Sequence, residues 1–362
     1  MKLMVVCDSV RRPIAGVGRV TLTLVRELAR LGQDLTPIDL SPNLEVEQYG
    51  NPTLVIKPRL PWGQTALWHL ELLRRVPHGS EDFLLDPTGY PDVLGCHPNL
   101  IFWVHDLHML EKGFYRPGKR HWFKALLRRG LERSRLIVCV SEHTRTQVLT
   151  QYDLPEEKCA VVHNALDSEM SEKTAKPADP FDGAPYYLVV GSIGGRKNTL
   201  RLVDAYAAAR RRGLNTHLVL AGTPGQGWQA VQRRLNHPDV KSWVHVFRGV
   251  DDAFLNKLYN GARGLLFPSL EEGFGLPILE AFVAGIPVLT SNHSAMREVA
   301  GDAALLVDPT LTQAITEGLM TLETNAPLRS TLVALGTARL SLFTAERQAQ
   351  TLLGHLNQLR EI

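Results

Sequence analysis

Short apolar runs alternate with amphipathic helical patterns along the whole chain. In the first half, Lys2–Cys7, Leu35–Leu40, Asp82–Leu85, Leu100–Val104, Leu136–Val140 and Ala160–His163 read as strands. In the second half, Tyr186–Gly191, Thr216–Ala221, Val244–Phe247, Gly264–Phe267, Pro287–Thr290 and Ala304–Val307 read the same way. Strands of this kind separated by helices imply parallel sheets covered by helices. Ser171–Pro185, rich in Lys, Ala, Pro, Asp and Gly, has the composition of a linker. The expected organisation is therefore α/β, with two doubly wound Rossmann-like domains at residues 1–170 and 186–339. The linker occupies 171–185, and a helical segment follows at 340–362. Two such domains would face a central cleft at the carboxyl ends of their sheets, where open α/β sheets bind ligands.

Length and composition fit that picture. A chain of 362 residues accommodates two domains of roughly 150–200 residues. The net charge of +3 does not by itself point to nucleic acid. Cys7, Cys96, Cys139 and Cys159 lack metal-ligand spacing, and Cys7 and Cys139 sit in apolar runs as reduced buried thiols do. The opening run Met1–Val6 is too short for a signal peptide, and no window approaches 18 uninterrupted apolar residues. A cytoplasmic protein is expected. No Asp-x-Asp or HExxH occurs, and His105 and His108 stand three apart without a carboxylate cluster. A reaction without metal or cofactor is expected. The sequence also lacks GxxxxGK[ST] and GxGxxG, so neither an ATPase P-loop nor the usual dinucleotide fingerprint is present.

The segment Glu271–Glu280 carries the most chemistry. The apolar run ending at Pro268 precedes it, Pro277 suits a first helical position, and Gly285 with Pro287 ends the helix. The pattern is strand, glycine turn, helix N-terminus, where amide N–H groups and the helix dipole favour an anion such as phosphate. Glu272 and Glu280 would repel a phosphate, so they need another task, and accepting hydrogen bonds from sugar hydroxyls is one. The reading is a site for a sugar attached to a nucleotide.

Other motifs fit around it. Gly191–Asn198 follows the first strand of the second domain and brings Arg196 and Lys197 to a strand-to-helix turn. Arg there can grip phosphate oxygens bidentately and Lys adds a point charge, and both would stabilise a departing diphosphate. A solvated cation pair is the plainer alternative. His105, in Val104-His105-Asp106-Leu107, ends an apolar strand and would meet a sugar hydroxyl, handle a proton, cap a turn or be held by a local carboxylate; spacing does not choose among these. Gly16 and Gly18 follow the first strand and permit close backbone approach. Arg116–Arg135 holds eight cations against Glu132, with Trp122, Phe123, Leu126, Leu127 and Leu131 as apolar positions. It reads as a helix with a solvated basic face or as one lying on an anionic membrane; nucleic-acid binding ranks below both, because no recognition motif accompanies the patch.

These residues together resemble the retaining family-4 glycosyltransferases, which have the GT-B fold. The E-x7-E signature is Glu272–Glu280. Gly16-Val17-Gly18-Arg19, Val104–Leu107, Val140–Thr144, Val161–Asn164, Gly191–Asn198 and Ala221-Gly222 match in the same order. The likeness covers most of the chain and extends in particular to bacterial mannosyltransferases that build O-antigen or other surface polysaccharides. The resemblance implies that Glu272 binds the donor sugar, with backbone amides of Gly273, Phe274, Gly275 and Leu276. It implies that Glu280 binds ribose, that Arg196 and Lys197 hold the diphosphate, and that Phe247–Val250 passes near the base, with Val250 a donor contact. His105 would contact the donor sugar and, with Asp106, line the reaction centre. Gly16 and Gly18 would approach diphosphate and acceptor, and Leu340–Ile362 would pack on the first domain. Two departures stand out: His163-Asn164-Ala165 replaces Pro-Asn-Gly, and Arg248 replaces a commoner apolar residue.

The resulting expectation is a metal-independent hexosyltransferase using GDP-mannose, with retention by same-face substitution and domain closure over the donor. Its acceptor would be a glycan or lipid-linked oligosaccharide in surface polysaccharide biosynthesis, bound mainly on the first domain. Trp62, Thr88 and Tyr90 are acceptor candidates, because Trp and Tyr stack on sugar faces. The enzyme would be cytoplasmic, peripheral on the inner face of the plasma membrane through Arg116–Arg135. A nucleotide-sugar epimerase and a non-catalytic sugar-nucleotide-binding subunit are the alternatives.

Overall fold

The computed structural model describes residues 1–10, 16–39, 43–55, 76, 82–89, 97–110, 117–166, 181 and 183–361. Trp62 and Tyr90 lie outside these residues, as do Cys96 and most of the expected linker.

The chain divides into two compact units, Met1–Asp167 with Phe343–Ile362, and Ser168–Leu342. The first unit contains β1 (Lys2–Val6), α1 (Gly16–Arg30), β2 (Asp34–Asp39), α2 (Leu44–Glu47), β3 (Leu54–Val55), β4 (Phe83–Asp86), β5 (Leu100–Val104), α3 (Pro117–Arg133), β6 (Leu136–Cys139), α4 (Glu142–Tyr152) and β7 (Cys159–Val161). Its sheet has the order β3-β2-β1-β4-β5-β6-β7. Every pairing is parallel, as in Leu3↔Leu35 and Leu3↔Phe83. All five residues of β5 are buried, as a central parallel strand between two helical layers requires.

The second unit contains β8 (Tyr186–Val190), α5 (Thr199–Arg211), β9 (His217–Ala221), α6 (Trp228–Leu235), β10 (Val244–Phe247), α7 (Asp252–Gly261), β11 (Gly264–Phe267), α8 (Leu276–Ala284), β12 (Val288–Ser291), α9 (Ser294–Ala300), β13 (Leu305–Val307), α10 (Thr312–Thr324) and α11 (Ala326–Arg339). Its parallel sheet runs β10-β9-β8-β11-β12-β13. The chain winds outward from β8 to β10, then returns to the other side of β8 at β11. In the first unit the same reversal separates β1 from β4. Such switch points leave the loops after the two flanking strands side by side at the carboxyl edge.

The twelve expected strands all form, each within two residues of its expected ends. The additional strand β3 has two residues, too few to show a period. The terminal helix α12 (Ala345–Arg360) packs against α1. Its Ala349, Leu352 and Leu356 are fully buried. The Arg30–Glu346 pair at 3.3 Å, the Arg135 guanidinium on the Leu359 carbonyl and the edge-on His163–Phe343 contact at 5.5 Å hold this segment to the first unit. Residues 340–342 form a 3-10 turn that stays with the second unit, so the terminal segment changes unit at Phe343 rather than at Leu340.

Candidate functional site

In the second unit, β8 and β11 are hydrogen-bonded neighbours, with Gly264 opposite Tyr187. The loops that leave them, 191–198 and 268–275, are therefore adjacent. A backbone bond from Leu270 N–H to the Arg196 carbonyl, 2.9 Å, ties them together. Across this junction Arg196 Nη1 donates to Glu272 Oε2 at 2.6 Å and to the Glu271 carbonyl at 2.9 Å. Lys197 Nζ donates to Glu272 Oε1 at 2.5 Å and lies 4.5 Å from the centre of the Phe267 ring. Each oxygen of one buried carboxylate, 7% exposed, thus faces its own cation. Two cations against one carboxylate leave a net positive charge. The cluster is therefore not net negative beside the turn that was expected to favour an anion.

The loops are held from behind. Asn198 adopts a left-handed conformation, φ 57°, and its amide donates to the Pro268 and Pro309 carbonyls at 3.0 and 2.7 Å. Ser291 Oγ donates to the Ser269 carbonyl at 2.6 Å, and His293 Nε2 meets the Leu270 carbonyl at 2.8 Å. A side chain at Gly194 would place Cβ 2.2 Å from the Gln226 carbonyl oxygen, so only glycine lets the 191–198 loop lie against the loop after β9. Gly275, at φ 110°, turns the chain into α8 in a conformation that other residues avoid. Phe274 packs its ring into the core, so only its backbone can serve a ligand at this turn.

Glu280 follows one turn into α8, 6% exposed, and accepts a 2.6 Å hydrogen bond from Tyr259 Oη. Tyr259 was not singled out from sequence, although a buried Tyr at the end of an apolar stripe needs a partner for its hydroxyl. Asn198 was also passed over, hidden inside a motif read for its cations. Val250 is half-buried after β10, beside Gly249 at φ 62°. The exposed Arg248 stacks its guanidinium 4.5 Å from the Trp228 ring centre, which accounts for a cation where an apolar residue is commoner.

In the first unit, Gly16 and Gly18 open α1 after β1. His105 follows β5 and is half-buried, with Nε2 2.7 Å from the Pro87 carbonyl oxygen after β4. A carbonyl only accepts, so Nε2 carries the hydrogen and Nδ1 is the acceptor of the neutral ring. Burial pushes the His105 pKa below the ordinary histidine value, against a smaller opposite effect of the Pro87 carbonyl. Asp106 is engaged by the backbone N–H of His108 at 3.2 Å and by its Nδ1. Thr88 donates through Oγ1 to buried Asp86 at 2.6 Å, and Gly89 lies against the His105 ring. The structure thus joins His105 and Thr88 at one edge of this unit, and Arg196, Lys197, Glu272 and Gly275 at one edge of the other.

In α3, Phe123, Leu127 and Leu131 face the core. Trp122, expected with them, is 57% exposed beside His121, Lys124, Arg128, Arg129 and Arg133. No group of three metal-ligating side chains occurs among the described residues. No described helix is long and apolar enough to cross a membrane.

Residues 14–170 match the family model described as Glycosyltransferase Family 4, and residues 170–338 the one described as Glycosyl transferases group 1. Across 96% of its length the chain is 28% identical to O-antigen chain mannosyltransferase B of Escherichia coli, of which it covers 97%. In fold it resembles sucrose-phosphate synthase from Thermosynechococcus elongatus, with a TM-score of 0.78 at 15% identity, covering 100% of this chain and 99% of that one. It also resembles Anabaena HepE in complex with UDP and glucose, at 0.74 and 16%, covering 99% and 100%.

Proposed function

The chain belongs to the GT-B glycosyltransferases whose two halves the family-4 and group-1 models describe, and from that premise we propose a retaining hexosyltransferase that moves mannose from GDP-mannose. The acceptor is a glycan or lipid-linked oligosaccharide in surface polysaccharide synthesis. The name of the Escherichia coli relative supports the sugar and the pathway class. The observation that carries the reading is the Arg196–Glu272–Lys197 cluster at the switch point of the second sheet.

Each group has a task. Arg196 and Lys197 take the diphosphate, whose negative charge grows as the bond to the anomeric carbon breaks. Glu272 and the amides of Gly273–Leu276 hold the sugar, and Glu280 takes the ribose. His105, neutral at neutral pH, accepts a sugar hydroxyl at Nδ1. Asp106 holds His108 and borders the same edge, and Gly16 and Gly18 let the backbone approach diphosphate and acceptor. Val250 borders the base. Thr88 belongs to the acceptor side. The acceptor oxygen attacks the face that the diphosphate leaves, and its proton passes to the departing phosphate oxygen, so retention needs no enzyme nucleophile. The two protein cations do the leaving-group work without a metal. The basic face of α3 places the enzyme on an anionic membrane surface, where lipid-linked acceptors reside.

Purified protein incubated with GDP-mannose, UDP-glucose or dTDP-glucose and a lipid-linked oligosaccharide tests the reading. The expected result is acceptor-dependent release of GDP and an α-linked mannoside, lowered about 10²–10³-fold in Glu272→Ala with the fold intact. Conversion of the donor without acceptor, or near-normal turnover by Glu272→Ala, would overturn it.

A further inference from the structure

The hydroxyl of Tyr259 bears on the ribose site. Leu255, Leu258 and Tyr259 form the buried stripe of α7, which packs on α8. A stripe of that kind needs only apolar bulk, and Phe would fill the same volume. The phenol instead ends 2.6 Å from Glu280 Oε2, in a pair 2% and 6% exposed. A phenol donating to a carboxylate is a short, charge-assisted hydrogen bond. It compensates part of the cost of burying the charge and sets the plane of the carboxylate. Glu280 sits within the first turns of α8, beside the Gly275 turn that faces the Arg196–Glu272–Lys197 cluster. Its orientation therefore decides whether it meets a ligand lodged at that turn.

We propose that Tyr259 is a positioning residue of the nucleotide site: its hydroxyl locks Glu280 in the orientation that accepts the ribose hydroxyls of the donor. This rests on the reading of Glu280 as the ribose acceptor. Removing the hydroxyl leaves the helix packing in place and takes away this restraint on the carboxylate plane. Recognition of the ribose should suffer while recognition of base and diphosphate persists.

The test is calorimetric binding of GDP and UDP, each against its 2′,3′-dideoxy form, to the full chain, Tyr259→Phe and Glu280→Gln. For the better-binding base, the expected result is a ribose preference in the unaltered protein that falls about 5–10-fold in Tyr259→Phe, the scale of one ordinary hydrogen bond. Affinity for the dideoxy form should not change, KM for the sugar donor should rise with kcat nearly constant, and Tyr259→Phe should add nothing in the Glu280→Gln background. Equal weakening of ribose and dideoxy forms, or no weakening, would overturn the inference while the ribose role of Glu280 stands. Equal binding of both forms by the unaltered protein would overturn that role and the inference with it.

Discussion

Glu272 lies below the surface with Arg196 on one oxygen and Lys197 on the other. Removing either cation leaves the carboxylate one partner; removing both leaves a buried charge uncompensated. Arg196→Ala and Lys197→Ala should each cost about 1 kcal/mol of stability, and the double variant about 3–5 kcal/mol, more than the sum. Adding Glu272→Gln to the double variant should restore most of the loss, because no charge then remains to be compensated. Urea unfolding measures all four, and strict additivity would refute the compensation argument. The three residues were legible individually, because each stands in a glycine-bearing turn at the end of an apolar run. Their partnership was not: Arg196 and Glu272 are far apart in sequence, and only the pairing of β8 with β11 brings them together. The Tyr259–Glu280 bond was hidden for the same reason, since it depends on how α7 packs on α8.

Helix α3 shows what element-level periodicity gives and withholds. Phe123, Leu127 and Leu131 recur at four-residue spacing and form the buried stripe. Trp122 and Leu126 are offset by one position, about 100° around the helix, so Leu126 is half-buried and Trp122 faces out. The five apolar positions therefore do not share one face. The result is an outward arc of cations with an exposed indole, a combination suited to a lipid interface, where Trp prefers the boundary and each cation contributes about 1 kcal/mol near anionic lipid. Vesicles of phosphatidylcholine with phosphatidylserine should carry the protein upward in flotation at low salt and release it at high salt. Trp122→Ala should weaken capture severalfold, and an Arg129→Glu/Arg133→Glu variant should abolish it. Absence of binding at low salt would return α3 to the role of a solvated basic face. Strands, by contrast, were legible almost to the residue, since parallel strands are buried on both faces and read as unbroken apolar runs.

At the scale of the whole molecule, the division into two parallel-sheet units follows from the alternation of runs and helices, but the strand order does not. A run carries no mark of its neighbours, and only the crossovers decide that β8 lies between β9 and β11. The same packing creates a property of the whole chain that no motif announces. His217, at the start of β9, and His245, in β10, stand with Nδ1 and Nε2 3.1 Å apart, and Phe181 and Trp243 stack on His217. Burial lowers the pKa of both, and the neighbouring Arg210 and His217 charges act in the same direction on His217 and His245 respectively. In the other unit, burial likewise lowers His105 and His355. A histidine whose folded pKa lies below its unfolded value of about 6.5 binds its proton more readily in the unfolded chain. Stability is therefore constant above that value and falls as pH drops from about 6.5 towards the folded pKa. Asp239 does not confuse this window: the Arg234 hydrogen bond lowers it to about 2, so its contribution is lost only in stronger acid. Urea unfolding followed from pH 7.5 to 5 should show a positive slope of stability with pH below 6.5, equivalent to uptake of on the order of one to two protons. His217→Gln/His245→Gln should flatten that slope for the second unit and leave the first unit's unchanged. An unaltered profile in the double variant would mean that the two imidazoles accommodate protonation by swinging out of the Phe181–Trp243 stack, and would remove them as the source of acid sensitivity.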